Sequence, residues 1–157
     1  MRKPFSDTDF GYGRPAELAV MRWLARCGVA VSGPAMAADP YGPDVTMGAG
    51  RISNERFVEV ERRRESGWAS GPWPHPDIHI PARRVEKPNL HETALAIVRA
   101  DCGAALIVGG RILSAVDKYG YRCELPIVGD DGFKVPTWRA MGVFDLTGRD
   151  CPFAWGY

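Results

Sequence analysis

The spacing of apolar residues near the start of the chain predicts one long helix. Apolar side chains from Leu18 to Leu24 recur at three- and four-residue intervals, as they do on the buried face of a helix. Pro15 suits the first turn of such a helix, and Gly28 suits its end. The preceding residues, 1–12, are polar, and we expect them to form a loosely held arm in front of a single domain that spans residues 13–157.

Shorter apolar runs predict strands along the rest of the chain. Some alternate apolar and polar side chains, as half-buried strands do, and others are continuous and rich in Val and Ile. Residues 93–99 also contain Ala and Leu, which leaves a helix open there, but Ile97 and Val98 favour a strand. Loops are expected at residues 34–42, 101–103 and 129–132, and strands at residues 29–31, 44–47, 56–61, 77–80, 93–99, 104–113, 124–128 and 143–146. This mixture of helix and strands predicts an α/β fold.

Two of the predicted strands bring acidic side chains together. If Met47 pairs with Arg56 in an antiparallel ribbon, Asp44 lies opposite Glu59. Glu61 then points to the same side as Glu59, because strand side chains alternate. Opposed like charges destabilise a sheet, so this cluster calls for a cation, and Mg²⁺ is held by a few carboxylate oxygens and water. The residues alone leave a second interpretation open, a charged strand face in contact with water.

The composition is that of an ordinary globular protein with local basic runs. Of 157 residues, 45% are apolar and 25% are charged, and the net charge is +1, so no overall basic field favours nucleic acid. The excess of arginine over lysine suits phosphate recognition, although a genome rich in G and C produces the same excess. The basic runs contain Arg62, Arg63, Arg64, Arg83, Arg84 and Lys87.

The cysteines and the apolar stretches exclude several classes of protein. The 4 cysteines stand far apart without a C-x-x-C pair, which argues against a zinc site. No apolar stretch approaches the roughly 20 residues of a membrane span, and the first residues lack the apolar region of a signal peptide. We therefore expect a cytoplasmic protein with reduced thiols and no membrane contact.

Three local patterns, taken in order, resemble the PD-(D/E)xK nuclease superfamily, which includes restriction endonucleases and Holliday-junction resolvases. GRPAELAVMRWLARCGVAV looks like the opening helix of the family, with an acid at Glu17. Residues 42–45, GPDV, are similar to its G-x-D motif, and residues 57–61, FVEVE, stand in the place of its (D/E)-x-K strand. The piece WPHPDIHIPARRVEK also looks like a pattern of some members. The resemblance implies a restriction-endonuclease-like core, a mixed central β-sheet flanked by helices.

The same resemblance implies a metal-dependent nuclease that hydrolyses the phosphodiester bonds of DNA with Mg²⁺ or Mn²⁺. Asp44, Glu59 and Glu61 would be the catalytic residues, and the metal would be held by Asp44 and Glu59. Glu17 would reach the metal through water or help to place a second ion. The basic runs, from Arg62 to Arg64 and from Arg83 to Lys87, would contact backbone phosphates. Cutting two strands calls for a homodimer or for a partner that nicks the second strand.

One residue departs from the family pattern, since Glu61 stands where the family usually has lysine. Some family nucleases are active with glutamate at that place. A second register, with Glu61 as the family acid and Arg63 as its basic partner, also stays open, because both residues share a strand face. Arginine does not act as a general base at neutral pH, so the proton must go to a carboxylate, a phosphate oxygen or solvent.

Two other functions stay open. A member of the same fold that had lost its lysine would bind nucleic acid or a protein without cutting. Alternatively, His75, Asp77 and His79 would share a face on a strand and match a non-haem iron site of two histidines and one carboxylate. Pro74 and Pro76 disturb regular strand geometry at His75, which disfavours the iron enzyme.

Two tryptophans stand in a segment rich in Gly and Pro. Prolines at positions 72, 74 and 76 exclude a regular helix there. Trp68 and Trp73 would either stack on unpaired bases or form a local apolar lid.

Overall fold

One long helix and two sheets make up the part of the chain that the structure describes. In this computed structural model, that part comprises residues 7–33, 43–124 and 131–154. Helix α1 spans Asp7–Arg26. The strands are β1 (Val31–Ser32), β2 (Val45–Met47), β3 (Phe57–Arg62), β4 (Asp77–Pro81), β5 (Thr93–Val98), β6 (Ala104–Val108), β7 (Tyr121–Glu124), β8 (Asp131–Pro136) and β9 (Gly142–Asp145). The shorter helices are α2 (Glu65–Trp68), α3 (Gly110–Leu113) and α4 (Val116–Tyr119), and 3-10 turns occupy Ala82–Arg84, Leu90–Glu92 and Thr137–Arg139.

Helix α1 begins earlier than its apolar pattern predicts. Its first residue is Asp7, so the expectation of an arm is wrong for residues 7–12, whereas residues 1–6 lie outside the described part. Pro15 lies inside the helix and not in its first turn. The added part of the helix makes a tertiary contact, in which the phenol of Tyr12 donates a hydrogen bond of 2.7 Å to the carbonyl of Arg63. Such a contact is invisible to helical periodicity.

Two glycines fix the end of α1 against the loop between β2 and β3. Gly28 has a φ of +91° and ends the helix, as its position predicts. Gly50 has a φ of +98°, and a Cβ atom there would lie 2.0 Å from the carbonyl oxygen of Gly28. The close approach of these two backbones therefore requires glycine at position 50.

The larger sheet is mixed and has the order β1-β2-β3-β5-β6-β9. β3 and β5 are parallel, and the other neighbouring pairs are antiparallel. A parallel pair needs a long crossover connection, and here residues 63–92 provide it. The predicted α/β class with a mixed sheet is confirmed. The predicted register of the acidic ribbon is also confirmed, since Val45 pairs with Val58 and the amide of Met47 donates to the carbonyl of Arg56.

The two faces of the larger sheet bury separate apolar clusters. On one face, Val58 and Val60 pack with Trp23 and the rest of α1. On the other face, Leu95 and Ile97 pack with the smaller sheet, which has the order β4-β8-β7, and with the short helices. Glu59 and Glu61 pair with Leu95 and Ile97 across the parallel β3/β5 ladder, so their side chains belong to this second face. Glu59 and Glu61 therefore lie on the face of the larger sheet that the crossover covers.

Most of the other predicted strands are confirmed, with shifted bounds. The strand expected at residues 104–113 is wrong beyond Val108, because Gly110–Leu113 forms α3, whose Ile112 and Leu113 turn back into the core. The strand expected at residues 29–31 occurs as Val31–Ser32. Residues 125–130, which contain most of the expected strand at 124–128 and part of the following turn, lie outside the described part, as do residues 34–42.

Within the described residues, no helix has the length and apolar character needed to cross a membrane.

Candidate active site

Asp44 and Glu59 face each other across β2 and β3 at the predicted register. The β2/β3 pairing puts Asp44, the residue before β2, opposite Glu59. Oδ2 of Asp44 accepts a hydrogen bond of 2.7 Å from the amide of Val60. Glu59 is only 2% exposed. The strand pairing therefore brings two carboxylates together in a place with little water.

Glu17 and Glu61 complete a cluster of four acids, which we call the acid cluster: Glu17, Asp44, Glu59 and Glu61. Glu17 lies on α1, is buried, and receives a hydrogen bond of 3.3 Å from Arg14. Glu61 lies two residues after Glu59 on β3 and accepts a hydrogen bond of 3.4 Å from Arg63. Elements that are far apart in the sequence thus contribute to one site.

Arg84 stands among the four acids. Its Nη1 lies 3.7 Å from Oε2 of Glu59 and 4.0 Å from Oδ2 of Asp44. Burial disfavours the charged guanidinium, but the nearby Glu61, Asp44, Glu59 and Glu17 together raise the pKa of Arg84 above its ordinary value. Arg84 therefore remains a cation and is the centre on which the acid cluster converges.

Lys87 is the second basic residue beside the acid cluster. Its ammonium group forms an ion pair with Oε1 of Glu59, and 26% of its side chain is exposed. Arg84 and Lys87 both come from the part of the β3–β5 crossover that follows β4. The crossover therefore covers the acids with opposite charge, which offsets part of the cost of burying them.

The local environment shifts the pKa values of these acids in different directions. Burial, and then repulsion by Glu59, raise the pKa of Asp44 to about 7. Burial also raises the pKa of Glu17. Burial would do the same for Glu61, but Arg63, Arg84 and Arg83 hold its pKa below the ordinary value. At neutral pH, Glu61 is thus ionised while Asp44 is only partly ionised.

The chemistry of the donors suits a hard divalent cation. All four side chains are carboxylates, which are preferred ligands of Mg²⁺. Two buried oxygens, Oε2 of Glu59 and Oε2 of Glu61, have no hydrogen-bond partner. As the side chains are placed, however, no group of three or more His, Cys, Asp or Glu residues in the described ranges is arranged to hold a metal ion. The acid cluster therefore contains ligands that suit a divalent cation, but the basic side chains of Arg84 and Lys87 lie among them.

The basic residues predicted to bind nucleic acid have partners within the protein. Arg62 donates to the carbonyl oxygens of Ala100 and Tyr12, and Arg63 donates to Glu61 and to the carbonyl of His79. Arg64 is exposed, and its guanidinium lies 3.8 Å from the ring centroid of Tyr12. Arg83 lies close enough to Glu61 to lower its pKa. The role of these residues in nucleic-acid binding stays a prediction, and for most of them the structure supplies an internal role as well.

The three residues of the predicted iron site are divided between a loop and a strand. His75 precedes β4, and its Nε2 lies 2.7 Å from the carbonyl oxygen of Gly67. Asp77 and His79 share a face of β4. These three residues do not form a group that is arranged to hold a metal ion.

The two tryptophans of the Gly- and Pro-rich segment form an apolar cover. Trp68 is 1% exposed and donates a hydrogen bond of 3.0 Å to the carbonyl of Gly71. Trp73 packs edge-on against Trp68, with ring centroids 5.2 Å apart, and donates to Thr137. The burial of Trp68 leaves no ring face for a nucleic-acid base, so the lid interpretation holds for it.

No protein-family model, curated protein or solved structure matches this chain. The chemistry of the site is therefore inferred from its own residues.

The role of Arg84 and Lys87 as partners of the acids was missed from the sequence. Alternation places Glu59 and Glu61 on one face of β3, and parallel pairing with β5 makes the chain between these strands cross a face. The alternation was readable from the sequence, but the parallel pairing of β3 with β5 was not, so the contact of Arg84 and Lys87 with Glu59 had no sequence signal.

Proposed function

We propose that this protein is a metal-dependent nuclease whose acid cluster supports hydrolysis of phosphodiester bonds in DNA. One observation carries the proposal. Asp44 and Glu59 of the β2/β3 ribbon lie within 4.0 Å of the buried Arg84, and Glu61 and Glu17 lie near enough to help raise its pKa. Structural roles do not require such a concentration of buried acids, because buried like charges are costly. Perturbed ionisable groups of this kind cluster at functional sites.

Asp44 and Glu59 are the residues that would hold Mg²⁺ or Mn²⁺. They face each other, and Oε2 of Glu59 lacks a hydrogen-bond partner. A bound divalent ion lowers the pKa of its water and withdraws charge from the phosphate as a Lewis acid. To become ligands, Asp44 must release the proton that its pKa of about 7 allows it to keep, and Glu59 must release Lys87.

Glu61 would orient the attacking water. Because the surrounding arginines keep its pKa low, Glu61 is a weak proton acceptor but a good hydrogen-bond acceptor at neutral pH. Its unpartnered Oε2 is available for that hydrogen bond. This role needs no lysine at position 61.

Arg84 and Lys87 would stabilise the negative charge that develops on the phosphate. Both already lie beside Glu59. Fixed cations that face the developing charge are among the largest contributions to catalysis, because they need no reorganisation during the reaction. Lys87 is the more exposed of the two side chains and would be the first to meet the substrate.

A second function is favoured by one observation, the presence of Arg84 and Lys87 among acids that are not arranged to hold a metal ion. In a protein that binds nucleic acid or a protein partner without cutting, the acids and the two basic residues would neutralise one another and take no part in chemistry.

Cleavage of DNA separates these two functions. The purified protein would be incubated with supercoiled, single-stranded and branched DNA in Mg²⁺, Mn²⁺ or EDTA. Cleavage that requires the metal and falls at least about a hundredfold in Asp44→Asn supports the nuclease. Asp150→Asn, which changes an exposed acid outside the cluster, is the matched control. Equal cleavage by Asp44→Asn contradicts the proposal, and a gel shift without cleavage favours the binding protein.

A further inference from the structure

Five residues from the second half of the chain form a patch of aromatic rings and cations, which we call the Trp138 patch: Arg111, Lys118, Tyr119, Trp138 and Arg139. They come from α3, α4 and the 3-10 turn at Thr137–Arg139. None of them belongs to the acid cluster. The apolar pattern of the sequence gave no indication of this patch.

The centre of the patch is a guanidinium between two rings. The Cζ atom of Arg139 lies 4.1 Å from the ring centroid of Trp138 and 4.6 Å from that of Tyr119. This arrangement fixes the planar group by cation–π contacts. The Nε of Arg139 is buried and has no hydrogen-bond partner. Because that nitrogen is closed to solvent, an incoming anion would meet the guanidinium at its Nη atoms.

Two more cations surround the same tyrosine. Cζ of Arg111 and Nζ of Lys118 lie 5.6 Å and 5.7 Å from the ring centroid of Tyr119, and both side chains are exposed. Asp117 is the acid carried by these three short elements, against three basic residues. The patch is therefore positive, while the whole chain is nearly neutral with a net charge of +1.

Trp138 is 72% exposed, whereas Trp23 and Trp68 are almost completely buried. Tryptophan is enriched at binding interfaces, because its ring supplies a large contact area. Because the Cζ atom of Arg139 lies over the indole, a cation–π contact stabilises one orientation of the exposed ring. An exposed aromatic ring beside several cations combines the two features that bind unpaired nucleic acid, stacking and attraction to phosphate.

We infer that the Trp138 patch binds a single-stranded segment of nucleic acid, with a base on Trp138 and phosphates on Arg111, Lys118 and Arg139. An unpaired strand is preferred to a duplex because the bases of a duplex are already stacked on one another. An acidic peptide would satisfy the cations but offers no flat ring for the indole. The inference takes its class of partner from the proposed function and adds the strandedness of the substrate.

Binding is measured by fluorescence anisotropy in EDTA, so that no cleavage can occur. The probes are a short fluorescein-labelled oligothymidylate, a duplex of the same length and a fluorescein-labelled oligoglutamate peptide. Wild type should bind the oligothymidylate more tightly than either other probe. Trp138→Ala should weaken that binding roughly tenfold to a hundredfold, and Trp138→Phe should restore most of it, since a ring remains for stacking. Ile52→Ala, a change at an apolar residue that is 53% exposed, is the control and should bind as wild type does.

The salt dependence of binding tests the contacts between the patch and the phosphates. In the double variant Arg111→Gln, Lys118→Gln, binding should fall and its dependence on salt concentration should become shallower, because fewer counterions are released. Trp138→Ala should leave the salt dependence unchanged.

Several results would overturn the inference: undiminished binding by Trp138→Ala, tighter binding of the duplex, or tighter binding of the peptide. Failure of the proposed nuclease gives a different result. If wild type and Asp44→Asn both bind the oligothymidylate through Trp138 but neither cuts DNA, the binding role of the patch is supported and the proposed nuclease activity is contradicted. If wild type cuts DNA and Trp138→Ala binds the oligothymidylate as wild type does, the nuclease activity is supported and the binding role of the patch is contradicted.

Discussion

Nη1 of Arg84 lies 3.7 Å from Oε2 of Glu59, close enough for an ion pair but too far for a hydrogen bond. That oxygen is buried and has no hydrogen-bond partner. A buried carboxylate is well stabilised only when its lone pairs are satisfied. The Arg84–Glu59 pair therefore leaves the negative charge of Glu59 only partly compensated.

Lys87→Met should destabilise the protein in the absence of metal. The change removes the ammonium group from Glu59, while Arg84 stays 3.7 Å from that buried acid. We expect the free energy of unfolding in EDTA to fall by about 2 kcal/mol, less than the roughly 3–5 kcal/mol of a fully buried pair, because Lys87 is partly exposed. Urea unfolding measures this change.

The same variant should gain more stability from Mn²⁺ than wild type does, since no lysine competes for Glu59. A thermal shift with and without Mn²⁺ detects the difference. Lys118→Met, at an exposed lysine, should change stability by less than about 0.5 kcal/mol and should not alter the effect of Mn²⁺. A Lys87→Met protein as stable as wild type, or one indifferent to Mn²⁺, would show that Lys87 does not compensate the site.

Asp44→Asn should stabilise the protein at alkaline pH and much less at acidic pH. Burial, and then repulsion by Glu59, raise the pKa of Asp44 from 3.8 to about 7 in the folded state. Because the folded pKa is the higher one, the favourable contribution of this group is complete below about pH 4 and is lost as the pH rises through about 7. Asparagine does not titrate, and its amide oxygen can still accept the hydrogen bond from Val60. At pH 8, we expect a gain of about 2–4 kcal/mol over wild type.

Urea unfolding at pH 5 and pH 8 tests this prediction. Asp117→Asn, at an exposed acid of α4, controls for the loss of one negative charge. A gain for Asp44→Asn that is equal at the two pH values would mean that Asp44 does not carry the raised pKa.

Gly50→Ala should destabilise the loop that joins the two acid-bearing strands. A Cβ atom at Gly50 would lie 2.0 Å from the carbonyl oxygen of Gly28, and the φ of +98° disfavours any other residue. We expect a loss of at least about 2 kcal/mol. Gly48→Ala is the matched control, because its Cβ would make an ordinary contact of 3.6 Å with Ala30. Chemical unfolding of both variants decides the prediction, and equal stabilities would contradict it.

Much of the acidic ribbon was predictable because strand alternation is a local property. The pairing of Val45 with Val58 follows from two short apolar runs and the glycine-rich loop between them, and it places Asp44 opposite Glu59. The side chains that compensate the acids were not predictable in the same way. Arg84 and Lys87 meet Glu59 through the crossover, and their partners are set by tertiary packing that no local spacing reveals.

Other differences between prediction and structure have similar causes. Gly110–Leu113 continues an apolar run that looks like a strand, but the chain turns into α3 so that Ile112 and Leu113 pack in the core. The exposed Trp138 was not singled out because exposure cannot be inferred from an aromatic residue in an irregular segment. Short range patterns therefore identified the strand pair, whereas contacts between distant segments determined the rest of the site.

Binding of Mn²⁺ to the acid cluster is the measurement that tests the central claim most directly. Electron paramagnetic resonance of free Mn²⁺ would be recorded during titration with wild type, Glu59→Gln and Glu65→Gln, the last being a change at an exposed glutamate of α2. We predict that wild type and Glu65→Gln bind Mn²⁺ and that Glu59→Gln binds it at least about tenfold more weakly, since one of the two principal ligands is lost. Equal binding by Glu59→Gln, or no binding by wild type, would contradict a divalent-cation site built on these acids.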